Sequence, residues 1–287
     1  MKFAPYLFDG SRKFHIDEFP TRETGKFKNK AEAVEQIAEN LNILSQLQNK
    51  LYAENKEAVL IIFQAMDAAG KDGAIKHVMS GINPQGVVVH NFKQPSAEEL
   101  DHDYLWRCVR ALPERGNIGI FNRSYYEDVL VGKVHKLYLS QSLPDRCKTD
   151  DIFEKRYRQI RDFETYLWEN GIRVVKFFLA LSKEEQKKRF LDRIDDKSKN
   201  WKFSEADIRE RAYWDDYQKA YEQAINATAR KHAPWYVIPA DKKWYSRLLI
   251  SEIIVGVLRS IDPEYPTLPK GKDELLQVCK QQLLEEE

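Results

Sequence analysis

The sequence predicts an α/β protein built on a five-stranded parallel sheet sandwiched by helices. Three observations carry that expectation: five short runs rich in branched and aromatic residues, helical segments between successive runs, and a small-residue loop directly after the first run. Strands that alternate with helices need crossover connections, and right-handed crossovers place the helices on both faces of a parallel sheet.

Taken in order, the first thirty residues hold Pro5, Pro20 and the basic stretch Lys26-Phe27-Lys28-Asn29-Lys30 without clean periodicity, and predict an irregular arm. Val34, Ile37, Leu41, Leu44, Leu47 and Leu51 then recur at helical spacing and predict an amphipathic helix. Ala58-Val59-Leu60-Ile61-Ile62-Phe63 is the first strand, followed by Ala65-Met66-Asp67-Ala68-Ala69-Gly70-Lys71-Asp72 and a helix from near Gly73. Gly86 to Phe92 reads as the second strand, and Ser96-Ala97-Glu98-Glu99 as a capping box opening a helix to about Leu112. Ile118-Gly119-Ile120-Phe121 is the third strand, ending at Asn122-Arg123 and leading into a helical Ser124 to Val131. A helix from about Asp150 to Asn170 stops at Gly171. Ile172 to Leu181 is the fourth strand, Ser182-Lys183-Glu184-Glu185 caps the next helix, and Ser204 opens another. Pro234 to Pro239 is the fifth strand, with a helix from Trp244 to about Ser260 and an acidic tail behind it. The expected organisation is one domain: arm and helix over 1–55, core over 56–262, tail over 263–287.

Composition excludes several classes of function. Of 287 residues 43% are hydrophobic, enough for a substantial core, and Lys+Arg 46 against Asp+Glu 45 leaves a formal net charge of +1. Nothing global demands nucleic acid or an acidic membrane, so any polyanion site must be a local cluster. No run approaches the roughly 20 apolar residues that span a bilayer, and the chain reads as cytoplasmic. Cys108, Cys147 and Cys279 are too few and too scattered for a disulfide framework or a zinc site. The histidines lack metal-ligand spacing, and no G-x-S-x-G elbow is present.

The loop after the first strand points to phosphate. Small residues at Ala68, Ala69 and Gly70 let backbone N–H groups approach an anion at a helix N-terminus beside Lys71, with Asp72 and Gly73 opening the helix. The match to G-x-x-x-x-G-K-[ST] is imperfect, since Ala65 replaces the first glycine and Asp72 the hydroxyl residue. Residues just after each strand of such a sheet share one rim. Phosphoryl transfer needs cations on the moving group and acids to hold the bridging metal. Lys71 and Arg123 supply the first, and Asp67, Glu127 and Asp128 the second. Asn122 is neutral where a nucleotide-binding chain usually carries an acid. Either Asp67 carries magnesium with help from Glu127, or the amide hydrogen-bonds a phosphate that a carboxylate would repel. The segment from Arg189 to Lys202, with Arg193, Lys197, Lys199 and Trp201 between, fits a basic lid over about 189–207. A phosphohistidine at His77 or His135 is the weaker alternative route.

With those residues in hand, the chain resembles the polyphosphate kinase 2 family. Asp67-Ala68-Ala69-Gly70-Lys71-Asp72-Gly73 resembles its phosphate loop, Asn122-Arg123-Ser124-Tyr125-Tyr126-Glu127-Asp128-Val129-Leu130-Val131 its second motif, and Arg189-Phe190 through Ser204 its lid. The resemblance implies a P-loop kinase fold, direct transfer of a terminal phosphate between inorganic polyphosphate and a nucleotide, and magnesium, or manganese in its place, as cofactor. Lys71 and Arg123 would hold phosphates, Asp67 would hold metal or orient the accepting phosphate, and Arg189 and Arg193 would act from the lid. Asn122 looks like the class III subgroup, which phosphorylates both mono- and diphosphates. Lys133 stands where relatives carry arginine, and Lys76, Lys93, Arg107 and Lys133 are candidate linings of a polyphosphate channel. Adenine or guanine nucleotides are the expected partners, in a homo-oligomer. The competing readings are an ATP-dependent kinase of a nucleoside monophosphate or small metabolite, and a silent nucleotide- or polyphosphate-binding regulator.

Overall fold

Ala58–Gln64 is buried at every position because its two faces pack on two separate layers of apolar side chains. Leu60 and Ile62 enter one layer, and Val59, Ile61 and Phe63 the other, as the two-residue period of a strand requires. The structure, a computed structural model, describes residues 3–269 and 271–286; Met1, Lys2, Lys270 and Glu287, in the expected arm and tail, lie outside the described residues. Its strands are β1 (Leu7–Phe8), β2 (Ala58–Gln64), β3 (Val87–Asn91), β4 (Ile118–Asn122), β5 (Ile172–Ala180) and β6 (Trp235–Pro239). They form one sheet in the order β1-β6-β5-β2-β4-β3.

The five expected strands are parallel, so their C-terminal ends share one rim. The helices are α1 (Lys30–Glu54), α2 (Lys71–Val78), α3 (Ala97–Leu100), α4 (Trp106–Val109), α5 (Val131–Val134), α6 (Ile152–Glu169), α7 (Lys183–Asp195), α8 (Glu205–Glu210), α9 (Trp214–Thr228), α10 (Lys243–Ile261) and α11 (Lys272–Glu285). α6 and α9 fill one core layer, and α1, α2 and α10 the other.

Four expectations change. The arm is not wholly irregular: Leu7 and Phe8 pair antiparallel with Tyr236 and Trp235, making a sixth strand. Burial of Phe8 and Phe14, edge to face at 5.0 Å, anchors it. The helix expected from Ser96 to Leu112 is two short pieces, because the Asp103 carboxylate accepts from the Leu105 N–H at 2.9 Å and turns the chain between them. After Ser124 the chain is a 3-10 turn, Tyr125–Val129, broken from α5 by Leu130. The acidic tail contains α11, whose side chains are all exposed. No helix among the described residues is long and apolar enough to cross a membrane.

Candidate active site

The loop after β2 turns on two left-handed residues, Ala68 at φ 62° and Gly70 at φ 102°. Gly70 takes that conformation freely, whereas Ala68 is strained there, and a neighbouring group must hold it. That group is Arg189. Its Nη1 donates to the carbonyls of Ala68 (3.0 Å) and Ala69 (2.8 Å), and its Nη2 to those of Ala240 (2.6 Å) and Asp241 (3.1 Å). Expected on the lid, Arg189 lies instead in the middle of α7, buried, tying the phosphate loop to the turn after β6.

Lys71 opens α2 and is 8% exposed, its Nζ donating to the Ala65 carbonyl at 2.8 Å. Burial, joined by the charge of Arg123, pushes its pKa down to about 8, against the pull of Asp67, Glu127 and Asp72. An arriving phosphate would restore the charge.

Arg123 follows β4 in the left-handed region, φ 65°, with its N–H donating to Phe63 O across the strand pair at 3.0 Å. A non-glycine residue there costs about 1–3 kcal/mol. The turn aims its guanidinium at Asp67 (Nη2 to Oδ1, 2.7 Å) and Glu127 (Nη1 to Oε2, 3.2 Å), and those carboxylates hold it charged. Gln186 Nε2 donates to Asp67 O at 2.9 Å, so helix α7 fixes the loop at a second point. Asn122 Nδ2 donates to Asp72 Oδ1 and Asn91 Oδ1, both at 2.8 Å, while its Oδ1 is buried without a partner among the described residues. A carboxylate at 122 would face Asp72 directly and meet like-charge repulsion there.

These groups open into a cavity of about 800 Å3. It brings together Asp67 to Gly73, Lys76, Lys93, Asn122, Arg123, Arg189, Arg193 and, from the lid, Lys199, Trp201 and Lys202. Arg193 faces Asp207 at 3.6 Å, and Trp201 is 77% exposed on a 3-10 turn, Asn200–Lys202, held to α7 by Asn200 Nδ2. Other expected residues sit elsewhere. Arg107 lies off the cavity, donating to Lys93 O at 2.8 Å and covering the Phe92 ring. Lys133 packs over Phe153 and Tyr157, since its ammonium finds aromatic faces nearer than the cavity. Lys197 points to solvent and does not line the cavity. Glu127 stands behind Arg123 rather than on the wall, and Asp128 is turned inward toward Arg156 at 3.6 Å. His135 bonds Glu210, and neither it nor His77 reaches the cavity.

Sequence reasoning missed Asn91, Asp207, Lys243 and Arg247. Lys243 and Arg247 follow β6 on the first turns of α10, so the shared-rim rule, applied to the fifth expected strand, would have found them. Asp207, the last residue of the expected lid range, was not singled out within it, because α8 reaches the site only through the lid's path.

The family profile described as Polyphosphate kinase 2 (PPK2) matches residues 27–266. The chain belongs to that family. An ADP-polyphosphate phosphotransferase of Rhodopseudomonas palustris is 52% identical over 287 residues, covering 99% of each chain. The AMP/ADP-polyphosphate phosphotransferase of Meiothermus ruber is 45% identical over 262 residues, covering 91% of this chain and 94% of its own. Among solved structures, polyphosphate kinase 2 from Arthrobacter aurescens TC1 superposes with a TM-score of 0.83 at 39% identity, over 92% of this chain and 93% of that one.

A polyphosphate kinase 2 is an enzyme, and phosphotransfer of this kind uses a divalent metal. The donor set suits a hard cation held largely by substrate, since its carboxylates are oxygen ligands: Asp67, Asp72, Asp192 and Asp207 on the wall and, behind Arg123, Glu127. Among the described residues no three carboxylate, histidine or cysteine side chains converge into a closed metal cage. Asp67 and Asp72 are the carboxylates that would hold such an ion in that open arrangement, where it would supply charge neutralisation between phosphates.

Proposed function

We propose that this chain transfers the terminal phosphate of inorganic polyphosphate to nucleoside mono- and diphosphates, AMP to ADP and ADP to ATP, by direct in-line displacement. One observation carries the reading: Lys71 and Arg123 flank Asp67 at the end of β2, at the floor of a cavity whose rim bears further cations from α2, α7, the lid and α10. Such a site binds a row of phosphates, which is what separates a polyphosphate donor from a single small acceptor. Among the described residues no histidine or cysteine lines the cavity, which supports transfer without a covalent enzyme intermediate.

Magnesium, with manganese able to replace it, would neutralise charge between donor and acceptor phosphates when bound. Lys71 and Arg123 then hold the transferring group, Asp67 orients the accepting phosphate or anchors the metal, and Arg193, Lys199 and Lys202 close from the lid to exclude water. The apolar patch of Val89 and Phe92 beside Asn91 supports nucleoside binding on the β3 side. The related enzymes differ in the acceptor their names give, and the neutral Asn122 supports use of both. Guanine nucleotides as further acceptors, a cytoplasmic location and a homo-oligomeric assembly belong to the same proposal.

Incubating the pure protein with magnesium, polyphosphate and AMP or ADP, then separating the nucleotides, tests it. ADP and ATP should appear. Formation of neither would overturn the reading, and phosphorylation that needs ATP but no polyphosphate would favour a nucleotide-dependent kinase.

A further inference from the structure

One wall of the cavity is built by the first turns of α2 and α10. Lys76, Lys243 and Arg247 line that wall, and Arg247 Nη2 lies 3.4 Å from where a Cβ on Gly73 would stand, so the first turns of α2 and α10 are in close contact. Helix α1 runs beside α10, joined by Asn40 Nδ2 to Ser251 Oγ at 3.0 Å. Their C-terminal ends also meet, through Arg173, which bonds both Glu57 and Ser260, so the two helices run in the same direction. Lys30 precedes Asn40 by about 15 Å along α1, and Lys243 precedes Ser251 by about 12 Å along α10, at ~1.5 Å per residue. Both helix starts therefore stand at the level of the cavity wall that Lys243 lines.

The face of Lys30 is fixed as well. It continues the inward stripe of α1 (Ala33, Ile37, Asn40, Leu44) by one step, on the side that packs against α10. Just before it, Phe27 is partly buried against the core, and its N–H donates to Thr24 O at 3.0 Å. Lys26 and Lys28 are exposed on either side of that anchor. Among the described residues, none of Lys26, Lys28, Lys30, Lys76, Lys243 and Arg247 pairs with a carboxylate within 4.0 Å; Glu32, which accepts from the Lys28 N–H, is the near counter-charge. Burial and the positive charges of Arg247, Lys76 and Lys30 hold His77 below its usual value, in accord with a shared basic field there.

We infer that a second anion-binding surface, Lys26, Lys28 and Lys30, continues the α2–α10 wall and carries the trailing part of a long linear polyphosphate outside the cavity. The inference rests on the polyphosphate-transfer reading above. Cations that face no carboxylate, Lys26 lying over the Phe27 ring at 5.5 Å, suit a chain with regularly spaced charges, whereas a nucleotide or a short phosphate chain would be held by the cavity alone. The surface would therefore select for donor length without touching the reacting atoms.

The test is the variant Lys26→Gln/Lys28→Gln/Lys30→Gln, compared with the unaltered chain using long-chain polyphosphate and tripolyphosphate as donors to ADP. The ratio of kcat/KM for the long chain to that for tripolyphosphate should fall about tenfold, from three exposed charge contacts of a few-fold each. The salt dependence of long-chain KM should become shallower. An unchanged ratio, or an equal loss with both donors, overturns the inference. Calorimetric binding of the same two donors keeps the test independent of turnover: loss of affinity confined to the long chain supports the surface even without transfer. Absence of transfer by the unaltered chain from either donor would instead refute the catalytic reading. Circular dichroism and the unfolding midpoint should not move, since all three side chains are exposed.

Discussion

Phosphate binding above neutral pH should draw a proton onto the enzyme at Lys71. Burial holds that ammonium near pKa 8 against an ordinary 10.5, so at pH 7, 8 and 9 the free lysine lacks about 0.1, 0.5 and 0.9 of a proton. A phosphate beside Nζ raises the bound value back toward or above the ordinary one. Uptake on binding should therefore climb from about 0.1 to about 0.9 proton per site between pH 7 and pH 9. The energetic sign follows from the same shift. Between pH 8 and 10.5 the unfolded chain binds more protons at this site, so stability of the unliganded fold rises with pH, by at most roughly 3 kcal/mol. Below pH 8 that cost stands in full, and an anion that relieves it gains up to about a hundredfold in affinity.

The assay is calorimetric titration of polyphosphate or ADP at pH 9 in buffers of different ionisation enthalpy, where phosphate groups are already fully ionised. Lys71→Met removes the titrating group while Arg123 and Arg193 still bind anion. Uptake in the variant should fall by about 0.9 proton. Lys243, also lowered chiefly by burial, lines the same cavity, so the difference between the two proteins is the decisive quantity. Equal uptake by both at pH 9, or none by the unaltered chain, would refute the argument.

Other expectations follow from the same geometry. Arg189→Met strips the Ala68 and Ala69 carbonyls of their donor, and kcat/KM should drop by about a hundredfold with the fold retained; Arg189→Lys should not restore it, because one ammonium cannot reach both turns. Asn122→Asp sets a carboxylate against Asp72, a repulsion of about 1–4 kcal/mol, and should change the ratio of AMP to ADP turnover severalfold; an unchanged ratio would separate Asn122 from acceptor choice. Lys133→Met should leave transfer within about threefold of the unaltered chain, because the ammonium lies on aromatic faces away from the cavity. Glu164→Ala leaves Lys176 buried and unpaired, and urea unfolding should show a loss of about 3–5 kcal/mol.

The strand runs and the phosphate loop were legible because both are written locally, in apolar period and in the small residues an anion demands. Lys71, Arg123 and Asp67 follow strands of one parallel sheet, so the shared rim located them without coordinates. Arg189 was misplaced for a definite reason. A cation in a charged run reads as lid, and only the three-dimensional proximity of α7 to two turns reveals that its guanidinium is committed to backbone carbonyls. Arg107 and Lys133 failed similarly, since sequence gives their charge but not the aromatic rings that compete for it. β1 was missed because two residues carry no period. The antiparallel pairing that makes them a strand is supplied by Trp235 and Tyr236, more than two hundred residues away.

The left-handed turn at Arg123 shows how distant residues set the chemistry. Strain there must be held from both sides. On one side the Arg123 N–H bonds Phe63 O; on the other Tyr125 and Tyr126, completely buried, donate to the same Glu164 oxygen at 3.0 and 2.9 Å. Glu164 is in turn neutralised by Lys176 from β5, whose Nζ also donates to Thr228 O at 3.1 Å. A buried ion pair seldom adds stability over a well-packed apolar pair, so its presence under this turn calls for another reason. Two tyrosine hydroxyls fixed on one carboxylate leave the intervening backbone little freedom, and Glu127, one residue on, inherits that position. The buried pair thus holds Arg123 and Glu127 at the separation that keeps the guanidinium facing Asp67.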